Sequence, residues 1–586
     1  MLDCVVKGGF IVDGTGAPGR SGDLGISDGR IVSVGGRIDE DARLRIDADG
    51  ALVTPGWVDV HTHYDGQVLW DDAMLPSADN GVTTVITGNC GVGFAPVRAG
   101  DERELIELME GVEDIPGTAL YEGMPWGEWE TFSDYLDLVG SRSYALDIGA
   151  QVAHGAVRYY AMGERACCDE DAAGDDIETM ARVVEEAVRA GALGFSTSRT
   201  VGHRSLWGTP VPGTFAASAE LVAIAGAMAK VGRGVFEAIP AGTVGQLAAF
   251  GGERFTQQQE NELLAEVSRT SGRAVTFTLV QSPDFGPDLW KEILCLCETA
   301  NRSGAHLYPQ VSSRPIGLMA SLSSYHPFIR KPTYLKELSA LATAERARRM
   351  RDPEMKAKLL AEVDVPPEAS GSMENLYRLF KRSASSMFPL DDPVDYEPTP
   401  GRSIGALAAG EGRDPLEYLY DMMVEGDGNR VFSLSSADPH RRMEVLREML
   451  MHPDTVTGLS DAGAHVMLIC DGTMPTTQLT HWTRDRRLGE KIPVEWLVHK
   501  QTARNAALYG LDDRGELRPG MRADVNVIDM DNLAVAPPVA HHDLPSGGMR
   551  LIQPVRGYLA TFCNGVQTRD HDVDTGARPG RLVRGG

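Results

Sequence analysis

The sequence predicts an α/β protein: a (β/α)₈ TIM barrel, with a small β-sandwich domain formed by the two chain ends and a capping insertion. Three observations lead there. Apolar, strand-like runs alternate with amphipathic helical stretches through the middle of the 586 residues. Short strands punctuated by turn residues occupy both ends. One apolar run, starting at Ala51, finishes in His61-Thr-His63, a pattern suited to a strand entering a functional mouth.

At the N-terminal end, residues 4–7, 9–13, 23–26 and 30–34 read as strands, with Gly14-Thr-Gly16 and Asp28-Gly29 as turns. Residues 523–529 and 558–565 have the same character. Residues 1–54 and 515–586 are therefore assigned to the sandwich, and 55–514 to a barrel inserted between them. Inside the barrel segment, the candidate strands after His63 are 82–90, 146–154, 192–197, 234–239, 275–280, 306–309 and 456–461. Helical patterns separate them, such as 176–189, where apolar residues recur three and four apart. Residues 312–402 break the alternation, being rich in Lys, Arg and Met with little strand signal. A long excursion on a barrel loop reads as a cap over the site.

Bulk properties narrow the function. With 83 acidic against 56 basic residues, the net charge is −27. Such a surface repels phosphate backbones and anionic lipids, so nucleic acid and membrane are not expected partners. No run is apolar enough to span a bilayer, and the Met1-Leu-Asp3 start lacks the basic residues of a secretory signal. The eight cysteines form no disulfide framework: Cys295 and Cys297 are two apart, and Cys167 and Cys168 are adjacent. Reduced thiols and a cytoplasmic address fit together. The oligomeric state is open, a homo-oligomer included.

His61 and His63 carry the strongest chemical signal. Alternate residues of a strand share a face, so the pair aims two imidazoles at one point, half of a divalent metal site. Asp461, in Thr457-Gly-Leu-Ser-Asp461, sits at the end of the last candidate strand and can offer one oxygen to a metal and another to a proton. Cys90, in Thr87-Gly-Asn-Cys90, is a candidate thiolate ligand. Two have a plainer reading, Cys90 as a packed small residue and Asp461 as a helix cap. His154 and His465 are either outer partners of the site or satisfied core histidines, the latter favoured for His465. The joint occurrence of these residues at successive strand ends favours the chemical reading of the group.

Val53-Thr-Pro-Gly-Trp-Val-Asp-Val-His-Thr-His-Tyr-Asp65, Gly88-Asn-Cys-Gly-Val92, Ala153-His-Gly-Ala-Val-Arg158, Gly191-Ala-Leu-Gly-Phe-Ser-Thr197 and Asp513-Arg-Gly-Glu-Leu-Arg-Pro-Gly-Met-Arg-Ala-Asp524 resemble the amidohydrolase superfamily. Within it they are most similar to the D-aminoacylase (N-acyl-D-amino-acid deacylase) branch. The resemblance runs over most of residues 1–565, and Asn89-Cys-Gly91 is its branch-specific piece. It implies a metal-bearing barrel with a terminal β-sandwich, and hydrolysis of the amide bond of an N-acyl amino acid. It also implies His61, His63, Cys90 and Asp461 at the metal and catalytic positions, with Asp461 as general base and then acid. The branch normally carries a histidine at the end of the fifth barrel strand and another at the end of the sixth.

Here the corresponding segments, 234–242 and 275–283, contain no histidine. Glu237, on the inward parity of Ile239, is the ionisable candidate nearby, so the expected cofactor is one zinc or similar divalent ion rather than two. Expected ligands are His61, His63 and Asp461, completed by Cys90 or Glu237. His154, Arg158 and Arg199 are the candidate substrate-binding residues, the arginines suiting a free carboxylate. A small-molecule amide is the expected partner. Two alternatives stay open: a degenerate barrel that binds without turnover, and a lactone or cyclic-amide hydrolase.

Overall fold

Eight strands, nearly all of whose residues are buried, lie parallel in one sheet: β1 (Trp57–Asp59), β2 (Val82–Thr87), β3 (Asp147–Ala153), β4 (Gly194–Ser198), β5 (Val235–Ile239), β6 (Val275–Thr278), β7 (Leu307–Val311) and β8 (Val456–Thr457). The order is β8-β7-β6-β5-β4-β3-β2-β1, each strand pairing with its sequence neighbour. The structure is a computed structural model and describes residues 1–168, 170–435 and 443–585. Strands this short are buried on both faces, and for that reason read as continuous apolar runs rather than alternations. Helices such as Gly174–Ala190 and Ser218–Val231 cover the outside, giving the expected barrel.

The barrel closes beyond the ends of β1 and β8. The Asp461 amide donates to His61 O at 3.1 Å and the His63 amide to Ala462 O at 2.8 Å. Ser460 Oγ donates to Asp59 Oδ2 at 2.5 Å. Lower down, Asn505 Nδ2 donates to both Val58 O and Thr457 O at 2.8 Å. The seam thus runs through the segments that carry His61, His63 and Asp461.

The chain ends meet in a nine-stranded sheet. Its N-terminal strands are Leu2–Ile11, Arg20–Ser27, Arg30–Val34, Ala42–Asp47 and Leu52–Pro55; its C-terminal ones are Val525–Ile528, Tyr558–Cys563, Val566–Asp570 and Val573–Asp574. Leu52–Pro55 joins the halves, pairing with Leu2–Ile11 on one side and antiparallel with Val525–Ile528 on the other. Val6, Ile11, Ile26, Val53, Val525 and Phe562 form the core beneath it.

Between β7 and β8 the chain makes one long excursion with a core of its own, including Phe328, Leu338, Phe380, Tyr420 and Phe432. It extends well past Arg402, where the sequence pattern places its end. It also contains a three-stranded sheet, Gly317–Ala320, Phe388–Pro389 and Phe432–Ser435, absent from the sequence expectation because strands of two to four residues leave no periodicity to read. The excursion leans on the loop after β8: Arg314 pairs with Asp471 at 2.7 Å, and Met319 N donates to Leu468 O at 2.6 Å.

Candidate metal centre

The local sequence explains why Cys90 reaches the His-X-His pair. β2 stops at Thr87 because Gly88 turns the chain at φ +84°, where a Cβ would lie 2.1 Å from Gln151 O. Gly91 is equally confined, its notional Cβ 2.7 Å from Ser198 N. Asn89 fills the turn, with Nδ2 donating to Thr62 O and Ile86 O and Oδ1 accepting from Gln151 Nε2. Cys90 is left at φ +57°, a left-handed conformation costly for a side-chain-bearing residue. Leu459, Asp461 and His465 share that conformation at φ +63°, +46° and +48°. Strain is concentrated where the site is assembled.

His61 Nε2, His63 Nε2 and Cys90 Sγ converge, with ligand atoms all within 4.8 Å of one another. Cys90 Sγ lies 3.4 Å from His61 Nε2 and 3.7 Å from His63 Nε2. Asp461 Oδ1 is 3.3 Å and 3.7 Å from the same two nitrogens. Glu237 projects inward from β5, and its Oε2 accepts the Cys90 amide at 3.2 Å. All five residues singled out as ligands therefore meet in one place.

Three further residues belong to the group, and the sequence reading did not assign them there. Gln310, on β7, accepts from His61 Nδ1 at 2.8 Å, which leaves Nε2 as the lone-pair nitrogen. Glu113 ends the helix Glu102–Glu113; its Oε1 is 3.4 Å from His63 Nδ1 and its Oε2 is 3.5 Å from His465 Nε2. His203 feels the fields of His465, His63, Asp461 and His61, and its Nδ1 is 2.9 Å from Ser198 Oγ. His465, read as a core histidine or an outer partner, faces Glu113 and acts as a partner.

The electrostatics suit a cation. Burial first, then neighbouring carboxylates, push Glu113 up to about 7 and Glu237 up to about 8. The Cys90 thiol is driven well above its usual range by burial, then by Glu113 and Glu237. Burial opposes charge on His63, but Glu113 and Asp461 outweigh it and hold it up to about 9, whereas burial takes His61 down to about 4. For Asp461, burial works upward, yet the neighbouring histidines win and keep it at about 2. Among the described residues Glu113 Oε1, Glu237 Oε1 and His63 Nδ1 are buried without a hydrogen bond, Glu113 Oε1 and His63 Nδ1 meeting only as an ion pair at 3.4 Å. Two imidazoles, a thiol, the Asp461 carboxylate and two carboxylates with an oxygen to spare form a donor set that fits a divalent ion.

The group is nearly sealed. Relative exposure is 1% at His61 and His63, 6% at Cys90 and 0% at Glu237, while the Asp461 and His465 side chains reach 17% and 24%.

His154, Arg158 and Arg199, the candidate substrate-binding residues, are buried and each is held by a carboxylate. His154 Nε2 and Arg158 Nε share Glu220 Oε1 at 2.8 Å and 3.0 Å, and His154 Nδ1 sits 2.8 Å from Thr197 Oγ1. Arg199 is clamped by Glu260 at 2.7 Å. A buried guanidinium needs a carboxylate partner: Arg158 takes Glu220 from the helix after β4, and Arg199 takes Glu260 from the helix after β5.

A model of the Amidohydrolase family matches residues 45–568. The chain is 25% identical to a D-aminoacylase of Alcaligenes xylosoxydans xylosoxydans over 593 aligned positions, covering 99% of this chain and 97% of that one. It is 28% identical to the N-acyl-D-aspartate deacylase of the same organism, over 100% of this chain and 96% of the relative. Among solved structures, the N-acyl-D-glutamate deacylase of Bordetella bronchiseptica, complexed with zinc and a phosphonate inhibitor, superposes with a TM-score of 0.63 at 22% identity, covering 100% of this chain and 99% of that one.

Proposed function

The chain belongs to the amidohydrolase family, and from that membership we propose that it is a one-zinc hydrolase of the amide bond of N-acyl-D-amino acids. The observation that carries the reading is the meeting of His61, His63 and Cys90 within 4.8 Å, with Asp461 3.3 Å from His61 Nε2. The substrate class is supported by the deacylase relatives, each aligned over nearly its full length. Eight free cysteines suit a cytoplasmic setting.

His61, His63, Cys90 and Asp461 would hold the ion, with Glu237 beside Cys90 in the place left by the absent histidines. Bound there, a divalent ion supplies an acidified water and polarises the scissile carbonyl. The remaining work falls to the chain. Gln310 fixes the His61 tautomer and Glu113 orients His63. Asp461, ionised at neutral pH, takes the proton of the attacking water and returns it to the departing nitrogen. One carboxylate at the solvent-facing edge of the group suffices for both transfers.

The test is a screen of N-acyl-D- and N-acyl-L-amino acids with and without chelator, alongside metal analysis of the purified protein. The expected outcome is about one zinc per chain and chelator-sensitive release of the D-amino acid. Asp461→Asn should lower turnover by about 10²- to 10⁴-fold with the fold intact. Full activity in that variant removes Asp461 from proton transfer, and a protein that neither carries nor responds to zinc overturns the metal reading.

A further inference from the structure

At the opposite end of the barrel, the N-terminal ends of β4 to β7 border a second cavity of about 470 Å³. Its wall carries Arg233, Arg273, Arg504, Arg584 and His306, and no carboxylate among the described residues. In a chain of net charge −27, that concentration of cations runs against the background.

Part of the clustering has a local cause. Barrel helices run against the strands, so their C-terminal carbonyls gather here and attract cations. Arg233 donates to Val188 O at 3.1 Å and Arg189 O at 2.9 Å, Arg584 to Ala190 O at 2.8 Å, and Arg273 to Gly232 O. Arg584 also meets Asp137. These bonds use only some of the five N–H donors that each guanidinium has.

Arg504 has no such explanation. Among the described residues it has no carboxylate partner and no hydrogen bond; its guanidinium lies over the Tyr308 ring at 4.7 Å. Its Nε, like that of Arg273, is buried without an acceptor. A guanidinium lying over an aromatic ring with no acceptor among the described residues, beside Arg233 and Arg273, which have no carboxylate partner among them either, is a prearranged anion receptor.

We propose that this cavity binds a phosphate-bearing small molecule at a site separate from the metal centre. A phosphoryl group offers three oxygens and up to two charges, which suits a group of several arginines better than the single plane of a carboxylate. Among the described residues the lining holds cations and no acid, which favours an anion despite the acidic surface.

The test is calorimetric titration of the metal-loaded protein with inorganic phosphate and with AMP, against chloride at matched ionic strength. Saturable binding is expected, and Arg504→Gln and Arg273→Gln should each weaken it about tenfold with metal content unchanged. A stronger response to AMP identifies an organic phosphate as the occupant, and a stronger response to inorganic phosphate identifies the free anion. Binding that both variants retain places the phosphate at the metal centre and overturns the proposal. A response that merely follows ionic strength overturns it as well.

Discussion

At the scale of single residues, the centre is asymmetric: one carboxylate is held fully ionised at its open edge while two others sit deep and unsatisfied. Glu113 and Glu237 differ in what they touch, Glu113 facing two imidazoles and Glu237 the Cys90 amide. Glu113→Gln should weaken metal binding about 10- to 100-fold by loosening His63, read by competition with a chromogenic chelator. Glu237→Gln should lower the metal content directly; an unchanged content removes Glu237 from the ligand set. His61, His63, Cys90, Glu237 and Asp461 were legible because each sits on a strand or just past its end, where parity fixes direction. Glu113 was hidden because it reaches the site from a helix outside the strand pattern. A signal was nonetheless present: Glu113-Asp114 closes a helix with acids where the dipole favours bases, and the last turn has none. His203 and His465 lie on loops, whose paths no periodicity encodes.

At the scale of elements, every barrel strand was recognisable as an apolar run between turns, with ends shifted by a few residues. β2 finished early because Gly88 bends away, a conformation the sequence reading placed inside the strand. The excursion's short strands were not recognisable, since pairing rather than pattern makes them. The π-helical turn Lys500–Arg504 adds an ionisable group under β8. Lys500 Nζ donates to His452 O at 2.7 Å and to Thr455 Oγ1 at 2.9 Å; burial, then Arg504, takes the amine down to about 7. The unfolded chain keeps that proton to an ordinary lysine value, so between pH 7 and that value the unfolded state binds more protons and folding strengthens as pH rises. Relative to Lys500→Met, the wild type should gain up to about 1.4 kcal/mol of stability per pH unit from pH 7 to pH 9 in urea melts. A constant difference across that range overturns the assignment.

For the whole molecule, the seam between β1 and β8 and the metal centre are one structure. The candidate ligands come from the segments after β1, β2 and β8 and from β5, so a bound ion ties the first strand to the last and to the wall between. An ion that binds only the folded chain adds about 4 kcal/mol at a thousandfold excess over its Kd. Chelation should therefore lower the thermal midpoint by several degrees, with restoration on adding zinc; a midpoint indifferent to chelator would separate the seam from the ion.

His61, His63, Cys90 and Glu237 are almost without exposure, and the way to them passes Asp461 and His465. That loop carries three left-handed residues other than glycine and is braced by the excursion through Asp471 and Leu468. Entry of an acylated amino acid to so buried a group is expected to displace that brace against solvent friction. Turnover should fall as glycerol or sucrose thickens the medium, and a rate untouched by viscosity would mean the doorway is already open.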